Sequence, residues 1–117
     1  MAKSFYIAGV KFRPRNEIDR ALRELKVGDI LTMSPEPTNK FDPNAIQIIF
    51  NSGIESDSPD IFLGYVPKKF TSDVSADLEI GVNLECQVES VNPKSPTYEM
   101  FKVIIKERNE EIEEEEN

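Results

Sequence analysis

Glu36-Pro37-Thr38-Asn39-Lys40-Phe41-Asp42-Pro43-Asn44-Ala45-Ile46 is a polar loop pinned by two prolines that runs straight into a hydrophobic strand. Each proline fixes its own φ and pushes the residue before it towards extended geometry, so the loop is stiff for its length. Phe41 and Asp42 at its centre are therefore presented to something. A large aromatic beside a hydrogen-bond acceptor suits an exposed base or sugar. Aspartate before proline is also an ordinary turn-former, and Phe41 could plug the core beneath the loop. On these residues alone the two readings stand side by side.

Working outward, short apolar runs flank the loop. Residues 29–33 lead into it as one strand, and residues 45–50 follow as another, with Ile46, Ile48 and Phe50 on one face. Residues 51–60 are rich in Ser, Asp, Gly and Pro and read as an extended hairpin loop. Residues 61–66 return as a strand in which Gly64 suggests a bulge or a close backbone approach. Pro67 fits the first turn of a helix carrying Phe70, Val74 and Leu78 at every fourth position, ended by Gly81. Residues 82–91 alternate, with Val82, Leu84, Cys86 and Val88 inward. After a loop at 92–97, residues 98–106 form the last strand, with Phe101, Val103 and Ile105 on one face.

Upstream of the loop, residues 4–12 read as the first strand, with both faces largely apolar. Arg13-Pro14-Arg15 breaks it. Asn16 is the expected cap of a helix whose Ile18, Ala21, Leu22 and Leu25 fall at helical spacing before Gly28. The count is six strands and two short helices. It predicts a mainly β chain, a small OB-like or SH3-like six-stranded barrel with helices over its openings.

The chain has 117 residues, enough for one domain with a single core. No apolar run approaches the ~20 residues of a membrane span, and the N-terminus has no long apolar segment of signal-peptide type. One cysteine and no histidine exclude a disulfide framework and the usual zinc sites, so no cofactor is expected and a cytoplasmic location is. The formal charge of −8 is unevenly spread. Residues 107–117 hold seven glutamates and one arginine, which marks an acidic tail expected to be disordered, whereas the domain of residues 1–106 holds 13 basic against 15 acidic groups. Residues 1–26 alone carry +4. A basic front fits a small electrostatic footprint, and a solvated charged helix explains part of it as well.

Catalysis is disfavoured. Without histidine no Ser-His or Cys-His pair can be built, and Cys86 on the apolar face of a strand reads as a space-filler. Glu36 with Asp42, or Asp73 with Asp77, could hold a hard cation, but nothing supplies the carboxylate set of a two-metal nuclease. Three elements point to binding instead. Lys11-Phe12-Arg13 is either a cation-aromatic-cation grip on phosphate and base or an ordinary strand end. Phe41-Asp42 is the pair described above. Gly64-Tyr65-Val66-Pro67-Lys68-Lys69 ends a strand at a helix start, where free amides and lysines could meet an anion or merely face water. Tyr98 is a rim aromatic or a core residue.

Taken in order, these elements resemble the HIRAN domain, a DNA-binding module found at the front of fork-remodelling helicase-like translocases and alone in bacteria and phages. The resemblance spans residues 5–106. It rests on Ala8-Gly9-Val10, on Leu25 to Asp29, on Glu36-Pro37 through Asp42-Pro43-Asn44-Ala45-Ile46, on Leu63-Gly64-Tyr65-Val66-Pro67-Lys68, and on Gly81. It implies a six-stranded OB-like barrel that captures the 3′-hydroxyl end of single-stranded DNA. By the same resemblance, Asp42 looks like the acceptor for the terminal hydroxyl and Phe41 like the aromatic before it. Lys11 and Phe12 look like the cation-aromatic pair after the Gly-Val step, Lys68 like the phosphate-contacting lysine after the Gly-Tyr step carried by Tyr65, and Tyr98 like a stacking aromatic. Two positions depart from the family pattern. A tyrosine beside the terminal nucleotide is Phe41 here, which loses a hydroxyl, and a second aromatic has become Arg13, which can still stack through its guanidinium plane.

The expected partner is thus single-stranded DNA, with DNA-repair or replication proteins as further associates and no membrane. Rival expectations are an RNA partner and a protein-interaction adaptor that uses the acidic tail. A third is that the tail covers the basic front by mimicking nucleic acid.

Overall fold

The computed structural model describes residues 2–52 and 57–108. Its six strands are β1 (Ala2–Tyr6), β2 (Ile30–Pro35), β3 (Ile46–Phe50), β4 (Ile61–Tyr65), β5 (Leu84–Val91) and β6 (Phe101–Glu107). They form one antiparallel sheet in the order β1-β6-β5-β2-β3-β4. The sheet curls until Ala8, just past β1, pairs with Tyr65 at the end of β4. Ala8 N–H donates to the Tyr65 carbonyl at 2.9 Å and Tyr65 N–H to the Ala8 carbonyl at 2.8 Å. The expected mainly β barrel-like architecture, with two helices, is what the chain adopts.

Gly64 has both roles its position suggested. The β3–β4 register slips between Ile48 and Ile49, leaving Leu63 as the extra residue of a bulge. A side-chain carbon on Gly64 would lie 2.3 Å from the Ala8 carbonyl oxygen and 2.8 Å from Ile7 Cγ2, so only glycine lets the two edges meet.

The first strand is shorter than its apolar run. Beyond Tyr6 the partner strand β6 ends at Phe101, whose carbonyl takes the Ile7 N–H, and Ala8 turns to β4 instead. Gly9 then adopts a left-handed φ of 79°, and Val10–Phe12 close a 3₁₀ turn. That turn sends Val10 into the core and Lys11 and Phe12 outward, which an extended strand could not do. The last strand likewise starts at Phe101 rather than Tyr98, because Thr97–Glu99 form a second 3₁₀ turn.

Helix α1 (Arg15–Glu24) is capped by Pro14, not by Asn16, which sits exposed inside the first turn. The Pro14 carbonyl accepts from the Glu17 and Ile18 amides, and proline's fixed φ suits this place. Ile18, Ala21 and Leu25 bury one face. Arg15–Asp19 and Arg20–Glu24 pair at one-turn spacing along the helix, and Arg13 just before it pairs with Glu17, so much of the basic front is neutralised locally. Helix α2 (Lys68–Glu79) follows Pro67 and packs Val74 and Thr71 inward. The core lies on one face of the curled sheet, around Ile46, Ile48, Ile61, Leu63, Val88, Phe101 and Val103. Cys86 lies fully buried among them, and burial pushes its thiol up to about 12, so it is no nucleophile at neutral pH.

β6 pairs as far as Glu107, and Arg108 N–H donates to the Asn83 carbonyl at 2.8 Å. The remainder of the expected acidic tail, and residues 53–56 of the hairpin loop, lie outside the described residues. No helix among the described residues is long and apolar enough to cross a membrane.

Candidate nucleic-acid interface

The opening loop lies between β2 and β3 and is built around one carboxylate. Glu36 Oε1 accepts from Asn39 Nδ2 and from the Tyr65 hydroxyl, each at 2.8 Å, and its Oε2 accepts from Gln47 Nε2 at 2.8 Å. The Asn39 hydrogen bond, followed by that of Tyr65, holds the Glu36 carboxyl below its ordinary range. Desolvation first, and then its bond to Glu36, raises the Tyr65 phenol. Glu36 thus ties the loop to β3 and β4 at once.

Asn39 transmits that anchorage. Its Oδ1 accepts the Phe41 amide at 2.8 Å and the Asp42 amide at 3.0 Å, an Asx-type turn that orients both residues. Asp42 is then held by its own side chain. Its Oδ1 accepts the Asn44 amide at 2.8 Å and its Oδ2 the Thr71 hydroxyl of α2 at 2.9 Å. Asp42 is a turn-former and a cleft residue together; the two readings were never exclusive. Among the described residues no carboxylate cluster fit to hold a metal ion occurs, and Glu36 instead spends its oxygens on amide and phenol donors.

Phe41 does not plug the core. It is 89% exposed, and Phe12 is 76% exposed. Both rings stand at the rim of a cleft of about 580 Å³ whose walls include Gly9, Ala45, Val66, Tyr65 and Asp42, with Lys68 and Thr71 from the start of α2. Two phenylalanine rings thus stand in water at one opening.

The other sequence candidates are placed less uniformly. Arg13 lines the cleft, but its guanidinium lies 4.2 Å from the centre of the Phe62 ring and its Nε donates to the Phe62 carbonyl at 2.9 Å, covering an unpaired edge group of β4. Phe62 in turn meets Tyr65 edge to face. Arg13 is therefore a wall of the cleft, stacked on the protein itself. Lys11 lies outside the cleft lining, its Nζ 5.0 Å from the centre of the Phe12 ring. Tyr98 is 69% exposed and also outside the lining, on the 3₁₀ turn that packs beside the one bearing Phe12.

Thr71, Asn39 and Phe62 were not singled out in the sequence. Thr71 had one local signal, since it follows Lys68 by three residues and so shares its helix face. Asn39 bonds only within its own loop, to Glu36, Phe41 and Asp42, so its Asx turn is a local signal that was passed over, whereas Phe62 had none, because its partner Arg13 is brought to it by the tertiary fold.

The HIRAN domain family model matches residues 3–107. The chain belongs to the HIRAN domain family. None of the curated proteins matches it. Two solved structures share the HIRAN fold with it. One, a protein from Lactobacillus plantarum, has a TM-score of 0.67 at 18% identity and covers 90% of this chain and 93% of its own. The other, the HIRAN domain of human HLTF, has a TM-score of 0.56 at 11% identity and covers 89% of this chain and 70% of its own.

Proposed function

We propose that this HIRAN domain is a non-enzymatic module that binds single-stranded DNA at a free 3′-hydroxyl end. The observation that carries the reading is the pair of exposed phenylalanines, Phe12 and Phe41, at the rim of one cleft that also holds Asp42 and Lys68. In this reading the rings stack on the last bases, each contact contributing about 1–3 kcal/mol. The Asp42 carboxylate accepts the terminal hydroxyl, and Lys68, with Lys11 and Tyr98 along the exit, meets phosphates and the following base. Arg13 and Tyr65 shape the walls. An orienting scaffold of part-buried bonds behind an exposed aromatic rim suits recognition, which needs a fixed acceptor and no reactive group.

Few unpaired cations face the cleft, so binding is weak and its salt dependence shallow, with a slope of roughly −0.7 per phosphate contacted. The test is a titration of labelled oligonucleotides ending in a free hydroxyl or in a 3′-phosphate. The hydroxyl end should bind several-fold tighter; equal affinities refute end capture. Matched RNA oligonucleotides in the same titration separate a DNA from an RNA preference, since the 2′-hydroxyl is the distinguishing group. A protein-adaptor role predicts no oligonucleotide binding at all.

A further inference from the structure

We infer that Thr71 is a positioning residue that sets discrimination for a free hydroxyl end, by holding the Asp42 carboxylate with one acceptor direction open to the cleft. The inference rests on the reading of Asp42 given under Proposed function and extends it to a residue on another element.

Thr71 is the one polar side chain in the buried interior among the described residues, at 4% exposed. Its hydroxyl oxygen lies 2.9 Å from Asp42 Oδ2 and 3.0 Å from the Lys68 carbonyl. A hydroxyl has one proton, so it donates to one of the two at a time. Against an ionised carboxylate the charge-assisted bond is the stronger, so Thr71 donates to Asp42.

The Asn44 amide occupies the other oxygen, Oδ1. With one donor on each oxygen the carboxylate can neither rotate nor turn inward, and each oxygen keeps acceptor capacity for a further donor. Asp42 and Thr71 both line the cleft, so that capacity is available there. An incoming hydroxyl supplies the missing proton donor. A terminal phosphate supplies none when fully ionised and brings like charge to a partly desolvated carboxylate. Pinning thus turns an ordinary aspartate into a filter between two kinds of strand end. The bond also ties Asp42 to the start of α2, so the acceptor and Lys68 sit at a fixed separation, one turn of the same helix behind both.

The experiment measures the ratio of affinities for a hydroxyl-ended and a 3′-phosphate-ended oligonucleotide in Thr71→Val and Thr71→Ser, with melting temperatures alongside. Thr71→Val should lower the ratio about tenfold, the size of one bond to a charged group, while affinity for the phosphate end stays within about twofold. Thr71→Ser keeps the hydroxyl and should retain the wild-type ratio even if it melts lower. A merely structural threonine would lower both affinities together and leave the ratio alone. An unchanged ratio in Thr71→Val overturns the inference, as does an equal loss in Thr71→Ser. If the wild-type protein itself shows no preference, it is the end-capture reading that fails, and the two failures are thereby told apart.

Discussion

Gly64→Ala is the sharpest test of how the barrel closes. The added carbon would sit 2.3 Å from the Ala8 carbonyl oxygen, a backbone atom that cannot swing aside, and 2.8 Å from Ile7 Cγ2 in the core. The pairing of Ala8 with Tyr65 must open, which removes two backbone hydrogen bonds worth roughly 1–3 kcal/mol together. Moving Ile7 in a close-packed interior adds about 1–3 kcal/mol. A loss near 3 kcal/mol lowers Tm by roughly 10–20 °C at this chain length. Gly81→Ala is the control. Its φ is 86°, but nothing lies within 4 Å of the added carbon, so it carries only the strain of a left-handed alanine, about 1–2 kcal/mol. Ala8 and Tyr65 also line the cleft, so Gly64→Ala should weaken oligonucleotide binding while Gly81→Ala, at the far end of α2, leaves it alone. Differential scanning calorimetry and fluorescence titration read the two effects. A Gly64→Ala protein that melts with Gly81→Ala and binds like wild type would refute the closure argument.

Phe41→Ala removes a ring that is almost wholly in water, so Tm should stay within a few degrees while oligonucleotide affinity falls by about 1–3 kcal/mol; a large Tm loss with intact binding would mean the ring packs instead. Asp42→Ala should cost affinity only for the hydroxyl end, whereas Lys68→Ala should weaken both ends and reduce the salt slope by roughly 0.7, read from titrations across a range of salt. Glu36 is held below its ordinary pKa, so its stabilising contribution is present above the unfolded value of 4.5 and is lost as pH falls through the lower folded value. The raised Tyr65 phenol acts at the other end, its contribution lost as pH rises from 10.0 towards the folded value. Melting curves from pH 3 to 7 should therefore show wild type and Glu36→Gln converging in acid; a constant gap would deny Glu36 this role.

The elements of this HIRAN domain were largely legible in the chain. Alternation from Leu84 to Val88, the four-residue spacing of Phe70, Val74 and Leu78, and the punctuation by Gly28, Pro67 and Gly81 are local patterns that survive folding, because each follows from backbone period and glycine or proline sterics, although the strand expected over 82–91 starts at Leu84 and is interrupted by a bulge after Val88. Val10-Lys11-Phe12 was misleading for the opposite reason. Its apolar alternation suits a strand, but a strand needs a partner, and β6 has already ended. Strand length is decided across the sheet, not along the chain.

The local geometry of residues 36–46 was determined by the sequence itself, since prolines and an Asx turn act within a few residues. Whether Phe41 faced water or the core was decided only by the tertiary structure. So were the Glu36 anchor, which bonds Tyr65 twenty-nine positions away, and the Asp42–Thr71 bond across the same interval. Such contacts leave no periodic trace in a sequence, because the chain between them is free to take any path that ends with the two atoms together.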